Sequence, residues 1–300
     1  MAAACSRSDR LPAHSIPVTT CERRPCCNRG MPEGPETHYI ADRARQLLAG
    51  KPLVTARFSL PELKRYEKRL KGRCVVDVQA RGKALLTRFD NGLTLYTHSQ
   101  LLGYWDFQAK TPPDPPTGSP RVWLATASGA ASLHIAPKVE MWKTSAIESH
   151  PFLSKLGPDV LGSEVTADEF VERVGTPPFA RRKLAVLLLQ QEFAAGMGNY
   201  LRSEVLYEAR LAPLRTGASL EPREARALAK ALLAVSRRSY RSKFKGALPD
   251  SSKDYLAQTA KTFRFKVFER EGEPCPSCGS GIVMERIASR RLYWCPHCQQ

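Results

Sequence analysis

Met31-Pro32-Glu33-Gly34-Pro35-Glu36 is the stretch on which the reading of this chain turns. A proline that follows an initiator methionine becomes, once the methionine is removed, an N-terminal secondary amine. Such an amine is a covalent catalyst at a sugar or carbonyl carbon. Inside a chain the same nitrogen is an amide with no basic lone pair. The hexapeptide therefore predicts a working N-terminus at Pro32, with residues 1–30 an extension absent from the mature protein. That segment has five arginines against Asp9 and Glu22, and it contains Cys5, Cys21, Cys26 and Cys27. An upstream start assignment explains it most simply, and organellar targeting is the alternative.

Working outward, Pro35 suits a first helical turn. Ile40, Ala44, Leu47 and Leu48 follow one helical face until Gly50 and Pro52 end it. Short strand-like runs follow at Val75–Val78, Ala84–Phe89, Leu93–His98, Val122–Ala127 and Ser132–Ile135, with Asp90-Asn91-Gly92 a hairpin signal. Cys74 reads as a buried strand residue, and the Pro-rich Thr111–Pro120 as an exposed loop. Residues 31–150 thus form an antiparallel β domain with one packed helix. After His150-Pro151 the pattern turns helical. Leu184, Leu187, Leu188 and Phe193 predict a helix over Arg181–Phe193, and others are expected at Tyr200–Glu208 and Glu221–Val235. Residues 241–262 read as a polar linker closing a domain over 151–262, and residues 263–300 form a small module.

A length of 300 residues accommodates two domains and such a module. No apolar run approaches the length of a membrane span. The formal charge is +17, of which residues 1–30 carry +3, so the folded body is basic and suits a polyanion, nucleic acid before membrane.

Cys275, Cys278, Cys295 and Cys298 form two CxxC knuckles sixteen residues apart, the spacing of one closed, structural zinc site in a reducing compartment. His297 inside the second knuckle is expected to face solvent. Gly196-Met197-Gly198-Asn199-Tyr200 has two readings: a helix start whose N–H groups bind an anion, or a tight turn with Asn199 as cap. Lys83 in Arg81-Gly82-Lys83, and Gln100-Leu101-Leu102-Gly103, carry little information taken alone.

Together, MPEGPE at 31–36, RGKALLT at 81–87, QLLG at 100–103, HPFLSKLGPDVL at 150–161, GMGNYLRSE at 196–204, FRFKVF at 263–268 and the terminal cysteines resemble the formamidopyrimidine-DNA glycosylase/endonuclease VIII family, in colinear order from Met31 to Gln300. Gly34 favours the endonuclease VIII branch. The resemblance implies an α+β protein. Its parts are an N-terminal antiparallel β-sandwich with a packed helix, a helical helix-two-turn-helix domain and a C-terminal zinc ribbon. It also implies a monomeric bifunctional DNA glycosylase/AP lyase of base excision repair, acting on oxidised pyrimidines in double-stranded DNA with one structural zinc. Pro32 would form the Schiff base, Glu33 would donate and accept protons, and Lys83 would contact the backbone and polarise the site. Arg290 and Asn199 would hold phosphates, and Gln100, Leu101 and Leu102 would fill the gap left by the flipped nucleotide. Glu36 and Glu204 match family acids near the active site. Two positions depart from the pattern: Leu102 stands where a tyrosine is common, and Arg291 where a proline is. A preference for oxidised purines, or damage binding without catalysis if residues 1–30 are retained, remain alternatives. The expected location is the cytoplasm and nucleoid of a bacterium, with an organelle or nucleus as alternatives.

Overall fold

The computed structural model describes residues 31–116, 118–244 and 255–300. The four cysteines before Met31 lie outside that range. Helix α1 (Gly34–Leu48) buries Ile40, Ala41, Ala44, Leu47 and Leu48, the face expected from its spacing. It packs on a sandwich of two four-stranded antiparallel sheets. One sheet runs β1 (Thr55–Phe58), β6 (Val122–Thr126), β7 (Gly129–His134), β5 (Tyr104–Gln108); the other runs β2 (Val75–Arg81), β3 (Ala84–Phe89), β4 (Leu93–His98), β8 (Lys138–Lys143). Two short helical turns, α2 (Pro61–Lys64) and α3 (Glu67–Leu70), cover β1.

Three strands escape the sequence pattern: β1, β5 and β8. Each lies at a sheet edge and buries at most every second residue, so it lacks the continuous buried run by which the inner strands are read. Cys74 is a correction. It stands just before β2, half-buried, in an isolated bridge to Pro52. The β3–β4 hairpin turns at Asp90-Asn91-Gly92 as expected, with Gly92 at φ 75°.

The helical half comprises α4 (Ala167–Val174), α5 (Leu184–Leu187), α6 (Asn199–Ala209), α7 (Pro222–Ser242) and α8 (Tyr255–Thr262). The helix expected over Arg181–Phe193 is a single turn, α5. Leu184 and Ala185 donate their N–H groups at 2.7 and 3.0 Å to Arg215 and Pro213, so a neighbouring segment supplies bonds a longer helix would have made internally. The four apolar residues of that stretch are all buried, so the face was right and the element was not. The linker expected at 241–262 is corrected at both ends, residues 245–254 lying outside the described range. Helix α7 extends to Ser242 and α8 begins at Tyr255. Only Tyr255, which joins the sandwich core, and Thr259 are buried, and one aromatic and one threonine leave no apolar period to read. The Tyr255 hydroxyl accepts the Trp105 N–H at 2.9 Å, pinning α8 to the edge strand β5.

The C-terminal module is a hairpin, β9 (Val283–Ile287) and β10 (Arg290–Trp294), lying on α6. Its Leu292, Tyr293, Cys275 and Cys295 join the same buried cluster as α6 and α7, so it folds onto an existing core. Glu204 fixes this docking. Its fully buried carboxylate accepts the N–H groups of Lys266, Val267 and Phe268 at 2.9–3.1 Å. It therefore anchors the FRFKVF segment rather than lining a site. Glu204→Ala should cost about 3 kcal/mol by leaving these donors unpaired. Glu204→Gln, which keeps an acceptor, should cost less; urea denaturation measures both.

Candidate active site

The β domain and the helical half meet backbone to backbone. The Gly34 N–H donates to the Gly196 carbonyl at 2.8 Å, and a Cβ on Gly34 would lie 3.2 Å from the Gly196 backbone. Gly198 is tighter still: a Cβ there would fall 2.2 Å from the Glu33 carboxyl carbon. Only glycine leaves room for that carboxylate. Through the opening, Glu33 reaches the start of α6, accepting Tyr200 N–H at 2.9 Å and Leu201 N–H at 3.2 Å. These are donors that a helix N-terminus leaves free. Of the two readings of the glycine-rich turn, the anion at this helix start is the protein's own carboxylate. Asn199 does not cap: Gly198 holds the N-cap position, and Asn199 Oδ1 accepts from Arg202 at 2.7 Å.

Glu33 forms one wall of a cleft of about 410 Å³ that also takes in Met31, Glu36, Lys83, Leu101, Asn199 and Arg290. Residues far apart in sequence are thus brought together. Pro32 is buried directly before Glu33. Burial lifts the Glu33 carboxyl to about 7; Lys83 and the two α6 N–H groups oppose this, and Glu36 adds to it. Lys83 is pushed below the usual lysine range by burial and by Arg290, against the pull of Glu33 and Glu36. The turn bearing Lys83 is held by Asp159, whose carboxylate accepts the Gly82 N–H at 2.7 Å and contacts His38 Nε2 at 3.2 Å. A Cβ on Gly82, at φ 60°, would lie 3.3 Å from the Ala195 Cβ. Sequence reading missed this role of Asp159, although it lies within the quoted HPFLSKLGPDVL.

Arg202 was also missed. It is fully buried, and burial lowers it to about 10, aided by nearby Arg290. Its guanidinium donates to the carbonyls of Ala185, Ile287 and Arg291 at 3.0–3.4 Å. It thereby fastens the β9–β10 turn, where Ala288 and Ser289 both adopt positive φ and present Arg290 to the cleft.

Three family models match in order: the formamidopyrimidine-DNA glycosylase N-terminal domain over residues 31–136, the helix-two-turn-helix domain over 156–247, and the zinc finger found in FPG and IleRS over 272–300. Endonuclease 8 of Pectobacterium carotovorum is 42% identical over 270 residues, and that of Escherichia coli O17:K52:H18 is 44% identical over 269; each alignment covers 90% of this chain and all of the relative. The chain belongs to the formamidopyrimidine-DNA glycosylase/endonuclease VIII family. Among solved structures, MutM from Thermus thermophilus matches at TM-score 0.72 with 30% identity, covering 89% of this chain and 98% of the other. Lactococcus lactis Fpg in complex with abasic-site DNA shares the fold at TM-score 0.75 and 19% identity, covering 89% and 99%. As a member, the chain is a DNA glycosylase with AP lyase activity, of base excision repair.

The family's zinc module is present in full. The thiolate sulfurs of Cys275, Cys278, Cys295 and Cys298 all lie within 4.8 Å of one another, with Cys275–Cys298 at 3.8 Å and Cys278–Cys295 at 3.5 Å. A tetrahedral zinc with bonds of about 2.3 Å needs sulfurs about 3.8 Å apart. The set therefore fits one structural zinc, and exposed His297 takes no part. Gln100, Leu101 and Leu102 stand exposed at the tip after β4, with Gln100 at φ 49°. Of these only Leu101 lines the cleft. Their base is set by His98, whose Nδ1 accepts the Gln100 N–H at 3.1 Å.

Zinc analysis should give one ion per chain, and Cys278→Ser should weaken DNA binding while the near-ultraviolet signal of the β domain persists. Gly198→Ala displaces Glu33, and base excision should fall roughly 100-fold in single-turnover assays.

Proposed function

We propose that the chain removes oxidised pyrimidines from double-stranded DNA by the covalent chemistry of a Pro32 terminus. The observation that carries this reading is Glu33: a carboxyl lifted to about 7, facing Lys83 and one residue from Pro32. Such a group still holds a proton near neutrality and can return it, as an acid–base catalyst must. With Met31 and the residues before it absent, the Pro32 nitrogen is an amine, a fraction of which is unprotonated near neutral pH. It forms a bond to C1′ as the bond to the damaged base breaks; the base leaves with that electron pair and takes up a proton, and the Pro32 nitrogen, on bonding, gives up its own. Glu33 protonates O4′ as the sugar ring opens, giving an iminium. The iminium acidifies C2′. Loss of that proton expels the 3′ phosphate, and a second elimination expels the 5′ phosphate.

The remaining residues support this course. Lys83 and Arg290 are cations at the cleft, with Arg290 suited to the phosphate leaving in the second elimination and Asn199 to a flanking phosphate. The exposed Leu101 and Leu102, beside Gln100, suit a wedge into the stack vacated by the flipped nucleotide, which costs a few kcal/mol to extrude. Pyrimidine preference rests on the endonuclease 8 relatives, whose full length the alignment spans. Those relatives are bacterial, and this favours action at the nucleoid. Among the described residues no helix is long and apolar enough to cross a membrane.

Borohydride reduction on abasic-site DNA tests the reading. Protein beginning at Pro32 should be trapped covalently, with the adduct on the Pro32 peptide. The chain kept intact from Met1 should bind the DNA without trapping. An adduct on another residue, or trapping by a chain with a sequenced Met1 terminus, would overturn the Pro32 assignment.

A further inference from the structure

Lys243, the residue directly after α7, is with Lys83 one of two buried lysines among the described residues, and it lies behind Glu36, which lines the cleft. Its ammonium lies 2.6 Å from Glu36 Oε1 and 2.5 Å from the Thr259 hydroxyl, with both charged side chains at most 5% exposed. Glu36 is saturated from four directions. Its carboxylate accepts the Glu33 N–H at 2.9 Å, the Thr259 hydroxyl at 2.7 Å and the Tyr200 hydroxyl at 3.1 Å, besides pairing with Lys243. Tyr200 joins the two acids: its backbone N–H serves Glu33 while its hydroxyl serves Glu36. The cation that Glu33 faces, Lys83, lines the cleft itself.

We propose that Lys243 is a positioning residue for base excision, which by holding Glu36 as a carboxylate keeps Glu33 the member of the pair that carries the proton. The inference rests on Glu33 acting as the acid. Two neighbouring buried carboxylates do not both ionise freely, and the one with its own cation wins. Burial works against ionised Glu36, but Lys243 and the hydrogen bonds hold it below the usual carboxylate range. Its retained charge then adds to the burial that lifts Glu33. The other groups facing the pair are Lys83 on the β2–β3 turn, Arg202 and Tyr200 on α6, Tyr255 on α8 and Arg290 on β10. None of them touches Glu36 as a cation. Lys243 also comes from the helical half and Glu36 from α1, so the pair forms only when the two halves are closed on each other.

The sign follows. Lys243→Met makes Glu36 take up a proton, which removes a negative charge beside Glu33, and Glu33 then loses its own proton at lower pH. In the full chain with labelled glutamate carboxyls, assigned by Glu33→Gln, the Glu33 titration should move down by about one pH unit. Glu36→Gln should move it the same way, and Lys243→Arg should leave it nearly in place. In the form that cuts DNA, excision above neutral pH should fall about tenfold with the titration, with substrate binding unchanged. An unmoved Glu33 titration in folded Lys243→Met overturns the proposal. If Lys243→Met does not fold, an unmoved titration in Glu36→Gln overturns it equally. A titration that moves while the pH profile of excision does not would uphold the electrostatic link and instead refute Glu33 as the acid.

Discussion

The Glu33 carboxylate at the start of α6 is the contact around which the rest of the molecule is arranged. It joins the first turn of α1 to two free N–H groups of a helix 167 positions along the chain. The bond requires backbone separations that no side chain would permit, at Gly34 against Gly196 and at Gly198 against the carboxylate itself. Once those are set, Lys83 follows, because the Gly82 turn packs on the same loop and Asp159 takes its N–H. The first half of α6 is equally committed. Arg202 fixes the hairpin that presents Arg290, and Glu204 fixes the segment leading into the zinc module. One helix therefore registers three parts of the protein on a single cleft.

The same burial sets the chemistry. A carboxylate at a helix N-terminus, accepting two N–H groups, ordinarily falls in pKa. Here Glu33 rises to about 7, because loss of water outweighs those bonds and the pull of Lys83. Glu36, three residues on in the first turn of α1 and equally buried, goes the other way because Lys243 sits against it. Two like side chains in one cleft thus hold different protonation states through their neighbours. The divergence is the mark of an acid–base pair.

Much of this was legible in the sequence. The cysteines located the zinc module by their spacing alone, while the hexapeptide, the RGK turn and GMGNY pointed to one cleft only when taken together, through the family they resemble. What stayed hidden was held by tertiary polar contacts. Edge strands β1, β5 and β8 bury at most every second residue and lack the continuous buried runs of the doubly flanked strands. The Arg181–Phe193 stretch buries its apolar face as read, yet gives its N–H groups to residues 213 and 215 instead of forming a helix. Helix α8 looks like a linker because, of its residues, only Tyr255 and Thr259 are buried, the first in the sandwich core with its hydroxyl bound to Trp105 N–H and the second against Glu36. Asn199 was a reasonable cap by residue type; Gly198 and Glu33 displace it from that role. Lys243 gives no sequence signal at all.

A double-mutant cycle between Gly198→Ala and Glu33→Gln, read as single-turnover base excision, tests most directly whether the glycine acts by seating the carboxylate. If it does, Gly198→Ala should be costly in the parent background and nearly silent once Glu33 is Gln. Equal, additive losses in both backgrounds would show that Gly198 serves the fold independently of Glu33, and would contradict the account.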